Sequence, residues 1–200
     1  MKNPKKKNPE ISYFDTLLDN GVDIEDRVLY LEGEIEEYEN AEFVRAFHKL
    51  SRKSDDPIIV VINSPGGSIY DGLGLYDIME FSSCPIITVG LGKIMSMATV
   101  LFCAGDERYL YKNSTAMFHE LSTWIAGELT DINIEQKECK RLEKLVSGIL
   151  GQKTNKESSY WKRFKKNTYF DPKKCLETGF ATHILEKGQF DKLFSKNKKK

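Results

Sequence analysis

The hydrophobic period of the chain changes several times, and the changes mark its elements. Arg27, Val28, Leu29, Tyr30 and Leu31 read as a strand, followed by an acidic connection. A helical pattern over about residues 40–51 then sets Phe43, Ala46, Phe47 and Leu50 on one face. Residues 57–62 form a continuous β-branched run, the signature of a strand covered on both faces, which the turn residues of 63–68 (Asn-Ser-Pro-Gly-Gly-Ser) are expected to stop. A second helical pattern runs through Ile69, Leu73, Leu75, Tyr76 and Met79. The unit repeats: 85–90 predicts a strand, and the apolar stretch 95–104 predicts a buried helix ended by Gly105.

Short strands follow at 108–111 and 115–118, then a long polar-faced helix from about Thr130 to Gln152. Asp171 and Pro172 have the chemistry of an N-cap and first helical residue, with Gly179 as the stop. Strand and helix in alternation imply an α/β layered architecture centred on residues 69–104.

Composition narrows the picture. At 200 residues and 40% hydrophobic content the chain is long enough to bury one core, so one domain is expected. We divide the chain into a basic tail at 1–11, a domain at 12–190 and a basic tail at 191–200. Thirty basic and thirty acidic residues cancel, which gives no bias toward nucleic acid or an anionic membrane. Cys84, Cys103, Cys139 and Cys175 form no C-x-x-C pair and read as free thiols of a reducing compartment, with no zinc site and no cofactor indicated. No run approaches a membrane span, and the Lys-rich opening has neither an apolar signal core nor an Arg-rich transit pattern. A cytoplasmic location is expected, with an organelle stroma or the cytoplasm of a virus-infected cell as variants.

Ser96 carries the candidate chemistry, because it stands where a buried strand gives way to an apolar helix. Such a turn presents a hydroxyl at the sheet's end beside the unpaired N–H groups of a helix N-terminus. Taken alone, Ser96 reads as an ordinary N-cap, and the G-x-S-x-G elbow pattern is absent. His119, at the end of the strand 115–118, is a candidate base, whereas His48 and His183 have no nucleophile near them in sequence. Gly66 and Gly67 lack the Walker spacing, so they read as a plain turn or as a place where backbone approaches a ligand closely.

Taken together, residues 63–68, the Ser96-Met97 pair, Met117-Phe118-His119 and residues 175–180 (Cys-Leu-Glu-Thr-Gly-Phe) closely resemble the proteolytic subunits of Clp proteases, in order over residues 12–186. The resemblance implies a ClpP/crotonase-like β/α spiral in which the helix from about Thr130 is the handle between stacked rings. It implies a serine endopeptidase of ATP-dependent proteolysis and protein quality control. Ser96 would be the nucleophile, His119 the general base, and the N–H groups of Gly67 and Met97 the oxyanion hole. It further implies heptameric rings stacked in pairs as a homo-oligomeric tetradecamer, fed with unfolded polypeptide by an AAA+ ATP-dependent unfoldase.

The sequence departs from the family at two positions. Asn167 stands where the family carries its catalytic Asp. An amide can hold the His119 ring but does not stabilise an imidazolium as a carboxylate does; a comparable change in a serine protease cost about 10⁴ in turnover. Asp171 is a nearby acid, yet its place before Pro172 reads as a helix cap. Ala98 replaces a usual glycine, a change that a helix start tolerates. The alternative that Asn167 raises is a catalytically weakened structural ring subunit. An acyl-CoA enzyme of crotonase type shares the fold implied here but usually lacks the Ser-Met turn and a catalytic His at this position.

Overall fold

The computed structural model describes residues 22–23 and 26–195; the basic run at 1–11 and residues 196–200 lie outside the described residues. Among the described residues eight strands form one sheet: β1 (Val22–Asp23), β2 (Val28–Ile35), β3 (Ile58–Gly67), β4 (Ile86–Met95), β5 (Glu107–Leu110), β6 (Thr115–Phe118), β7 (Thr168–Phe170) and β8 (His183–Ile184). The helices are α1 (Glu37–Lys53), α2 (Ile69–Glu80), α3 (Met97–Cys103), α4 (Leu129–Lys153), α5 (Ser158–Lys162), α6 (Pro172–Glu177) and α7 (Gln189–Ser195).

The main path runs β1-β2-β3-β4-β5-β8 and is parallel except for β1. Both faces of β3 are covered, as its unbroken β-branched run predicts. Ile58, Val60 and Ile62 join a large core with α1 to α6, while Ile59 and Val61 meet Val89, Tyr109 and Leu193 on the other face. Leu193 belongs to α7, so the domain boundary drawn at 190 falls inside a helix whose apolar face closes that second core.

The strands outrun the turn residues expected to stop them. β3 continues through the Asn-Ser-Pro-Gly-Gly cluster to Gly67, because β2 runs on beside it to Ile35, through the segment read as an acidic connection. The pairing slips between Glu32 and Glu34, an irregularity that absorbs Pro65, which has no N–H to donate. β4 likewise runs to Met95, so the helix predicted from residue 95 starts at Met97.

That extension shapes the site, since β4 changes partner along its length. Residues 87–90 pair with β5, and after a second irregularity residues 93–95 pair with β6 in parallel. Met95 and Met117 are in register, so β4 and β6 end side by side.

Candidate active site

Ser96 and His119 follow the ends of these two neighbouring strands. The Ser96 N–H donates to the Met117 carbonyl at 2.9 Å, which fixes the nucleophile candidate to the strand that delivers the histidine. Ser96 occupies the N-cap position of α3 but does not act as a cap: its side chain accepts no hydrogen bond from the helix. Instead Oγ lies 2.7 Å from His119 Nε2. With the ring proton on Nδ1, Ser96 donates to a neutral imidazole nitrogen able to take its proton.

The backbone at Ser96 has φ 52° and ψ −125°, a conformation that costs a non-glycine residue about 1–3 kcal/mol. This is the strained strand-to-helix turn of a nucleophile elbow, reached without the G-x-S-x-G pattern. Room for it comes from the paired glycines of β3. A Cβ on Gly66 would stand 2.7 Å from both the Met95 carbonyl and Ser96 Cβ, and 2.9 Å from the Met97 nitrogen. One on Gly67 (φ +152°) would collide with the backbone of Ile35. The Gly66-Gly67 turn therefore serves close backbone approach. It places Gly67 and the N1 residue Met97, whose N–H has no acceptor within the helix, on the wall of one cleft with Ser96 and His119.

The cleft encloses about 350 Å³ between this strand end and α4. Met97, Phe118, Leu142, Val146 and Trp161 give it an apolar floor, and carboxylates including Glu120 and Glu143 stand on its walls. Phe118, just before His119, is gripped by aromatic rings, with centroids 4.8 Å from Trp161, 5.0 Å from Phe170 and 5.0 Å from Phe180. Rings packed at these separations immobilise the end of β6 and the histidine it carries. Lys165 adds a bridge, reaching Glu120 at 3.2 Å and Glu143 of α4 at 2.7 Å. Sequence reasoning singled out neither the bridge nor the aromatic nest, since their members are far apart in the chain.

The remaining candidates fall elsewhere. Thr168 pairs with Phe118, so Asn167 lies one step beyond that pair, beside His119. Its side chain is exposed and makes no hydrogen bond to His119 among the described residues; Nδ1 of the histidine has no partner there either. Asp171 caps α6, its Oδ1 accepting from the Lys174 N–H at 2.7 Å. His48 is exposed on α1, and His183 stacks on Tyr109 at 4.6 Å, both away from the cleft. Cys84, Cys103 and Cys175 are buried and unpaired, and Cys139 on α4 lines the cleft as a free thiol.

Comparison with known proteins bears on the family of the chain and on its fold. The Clp protease family profile matches residues 19–188. The ATP-dependent Clp protease proteolytic subunit of Carsonella ruddii (strain PV) is 31% identical over 169 residues, spanning 82% of this chain and 86% of the relative. The subunit from Porphyromonas gingivalis is 31% identical over 179 residues, spanning 87% and 76%. Proteolytic subunit 1 of Salinibacter ruber is 34% identical over 148 residues, spanning 72% and 64%. Among solved structures, an asparagine-to-aspartate mutant of ClpP1 from Listeria monocytogenes superimposes with a TM-score of 0.77 at 22% identity, covering 83% of this chain and 95% of that one; this likeness shows the ClpP-type fold. With the profile over most of its length and relatives of this identity, the chain belongs to the Clp protease family.

Proposed function

We propose that the chain is the proteolytic subunit of an ATP-dependent Clp protease and a serine endopeptidase of unfolded polypeptides, with Ser96 as nucleophile and His119 as general base. The observation that carries the assignment is the 2.7 Å contact between Ser96 Oγ and His119 Nε2 at the end of two paired strands. Ser96 Oγ attacks the scissile carbonyl while His119 takes its proton and returns it to the leaving amine. The Gly67 and Met97 N–H groups hold the oxyanion. Water, deprotonated by the same histidine, then releases the acyl-enzyme. The apolar floor of the cleft beside Ser96 would receive the side chains of an extended polypeptide, which supports unfolded substrates.

An AAA+ unfoldase would deliver such chains to heptameric rings stacked in pairs through α4. The unpaired thiols support a reducing, cytoplasmic setting. Among the described residues no helix is long and apolar enough to cross a membrane.

A fluorophosphonate probe tests the assignment. Wild-type protein is expected to label at one serine and Ser96→Ala not at all. Equal labelling of the two would remove Ser96 from the chemistry.

One observation favours a second reading, a ring subunit with a weakened site. Among the described residues no hydrogen bond ties Nδ1 of His119 to an acid, and the register sets Asn167 beside His119. Peptide turnover of wild type against Asn167→Asp separates the two.

A further inference from the structure

We infer that Thr99 is a positioning residue for the oxyanion hole, acting through the peptide bond between Ser96 and Met97; the inference rests on the reading of Ser96 as nucleophile. The Ser96 carbonyl accepts two hydrogen bonds from one residue: the Thr99 N–H at 2.9 Å and the Thr99 hydroxyl at 2.7 Å. The first is the ordinary opening bond of a helix. The second is a side-chain bond, made by a residue only 3% exposed and so shielded from competing water.

Threonine hydroxyls often bond a carbonyl one turn back with no consequence beyond a local bend. Here the acceptor belongs to the strained residue. Ser96 holds φ 52° and ψ −125° against a backbone preference for other regions, and rotation of its following peptide plane would relieve it. Because that plane is rigid and trans, its C=O and N–H point in opposite directions. Fixing the Ser96 carbonyl toward Thr99 therefore fixes the Met97 N–H toward the other side, and Met97 and Gly67 both line the cleft. With the Ser96 N–H held by the Met117 carbonyl at 2.9 Å, the turn is anchored at both ends, and Thr99 supplies a side-chain anchor to the Ser96 backbone.

The experiment uses the full chain with Thr99→Val, Thr99→Ser and Thr99→Ala, reading the rate of fluorophosphonate labelling and kcat and KM on a fluorogenic peptide. Loss of a neutral hydrogen bond predicts that Thr99→Val lowers the labelling rate and kcat by about 3- to 10-fold with KM unchanged. Thr99→Ser is expected to stay near wild type. Should valine unfold the protein, the Ser and Ala variants carry the same comparison: both lose the methyl group, only Ala loses the hydroxyl, and Ser is expected to be at least about 3-fold faster. Equal rates for Ser and Ala, or a change in KM alone, overturn the role of Thr99 and leave Ser96 as nucleophile. A wild type that labels no better than Ser96→Ala overturns both.

Discussion

At the residue scale the chain carries an amide beside His119 and a carboxylate four residues on, and the structure separates their work. Asp171 spends its carboxylate on the Lys174 N–H at 2.7 Å, the bond that starts α6. Asn167 sits one step past the Phe118–Thr168 pair, beside His119 in the strand register. In the proposed mechanism an acid there would orient the ring and stabilise the imidazolium that forms when Ser96 gives up its proton. Asn167→Asp is therefore expected to raise kcat for a short peptide by a factor on the order of 10² or more, part of the roughly 10⁴ that such an acid supplies elsewhere. Asp171→Ala, the control, is expected to lose about 1 kcal/mol of stability as the cap goes and to leave kcat unchanged. A collapse of kcat in the control with no gain at Asn167 would move the acid to Asp171. The capping duty of Asp171 was legible in sequence from the proline that follows it. The elbow at Ser96 was not, because a φ of 52° leaves no mark on a hydrophobic pattern.

At the scale of elements, hydrophobic period located the longer helices and the central strand cores, missed the short α5 and α7, and misplaced strand ends where tertiary pairing overrides turn propensity. β3 runs through its glycines to Gly67, and β4 runs past Gly90 and Gly92, because a neighbouring strand continues beside each. Equally hidden was the guanidinium of Arg108, which lies where three helix ends converge. It donates to the Gly105 carbonyl beyond α3 at 3.0 Å, to the Lys153 carbonyl ending α4 at 3.0 Å, and to Gly179 and Phe180 beyond α6 at 2.9 and 2.8 Å. A buried cation is thus answered by carbonyls at the negative ends of helices, with no carboxylate among these contacts. Removing it strands several buried acceptors at once. Arg108→Met is expected to cost at least about 3 kcal/mol in urea unfolding, well above the effect of breaking an exposed pair such as Lys165 with Glu120. A loss below about 1 kcal/mol would mean that water replaces the guanidinium.

For the whole molecule, a sheet covered on both faces leaves the thiols in unequal surroundings, and their reactivity reports its integrity. Burial pushes the Cys103 thiol up to about 12 and the Cys175 thiol likewise to about 12, and Cys84 is buried beside Arg27. Only the thiolate attacks a disulfide reagent, so at pH 8 the folded chain is expected to react with Ellman's reagent at Cys139 alone, and the urea-unfolded chain at all its cysteines. More than one fast thiol in the folded protein would mean that the core opens locally. The same shifts set a pH trend. The unfolded chain releases these two protons near the ordinary thiol value of 9, whereas the folded chain keeps them until about 12. Between those values the unfolded state binds fewer protons, so stability falls as pH rises, and it is fully present below 9. The urea midpoint is expected to drop from pH 8.5 to 10.5, and to drop less in Cys175→Ala than in wild type, because one of the two proton-linked groups is gone. Parallel slopes in the two proteins would assign the alkaline loss to the buried tyrosines, Tyr76 and Tyr109, whose hydroxyls burial also raises.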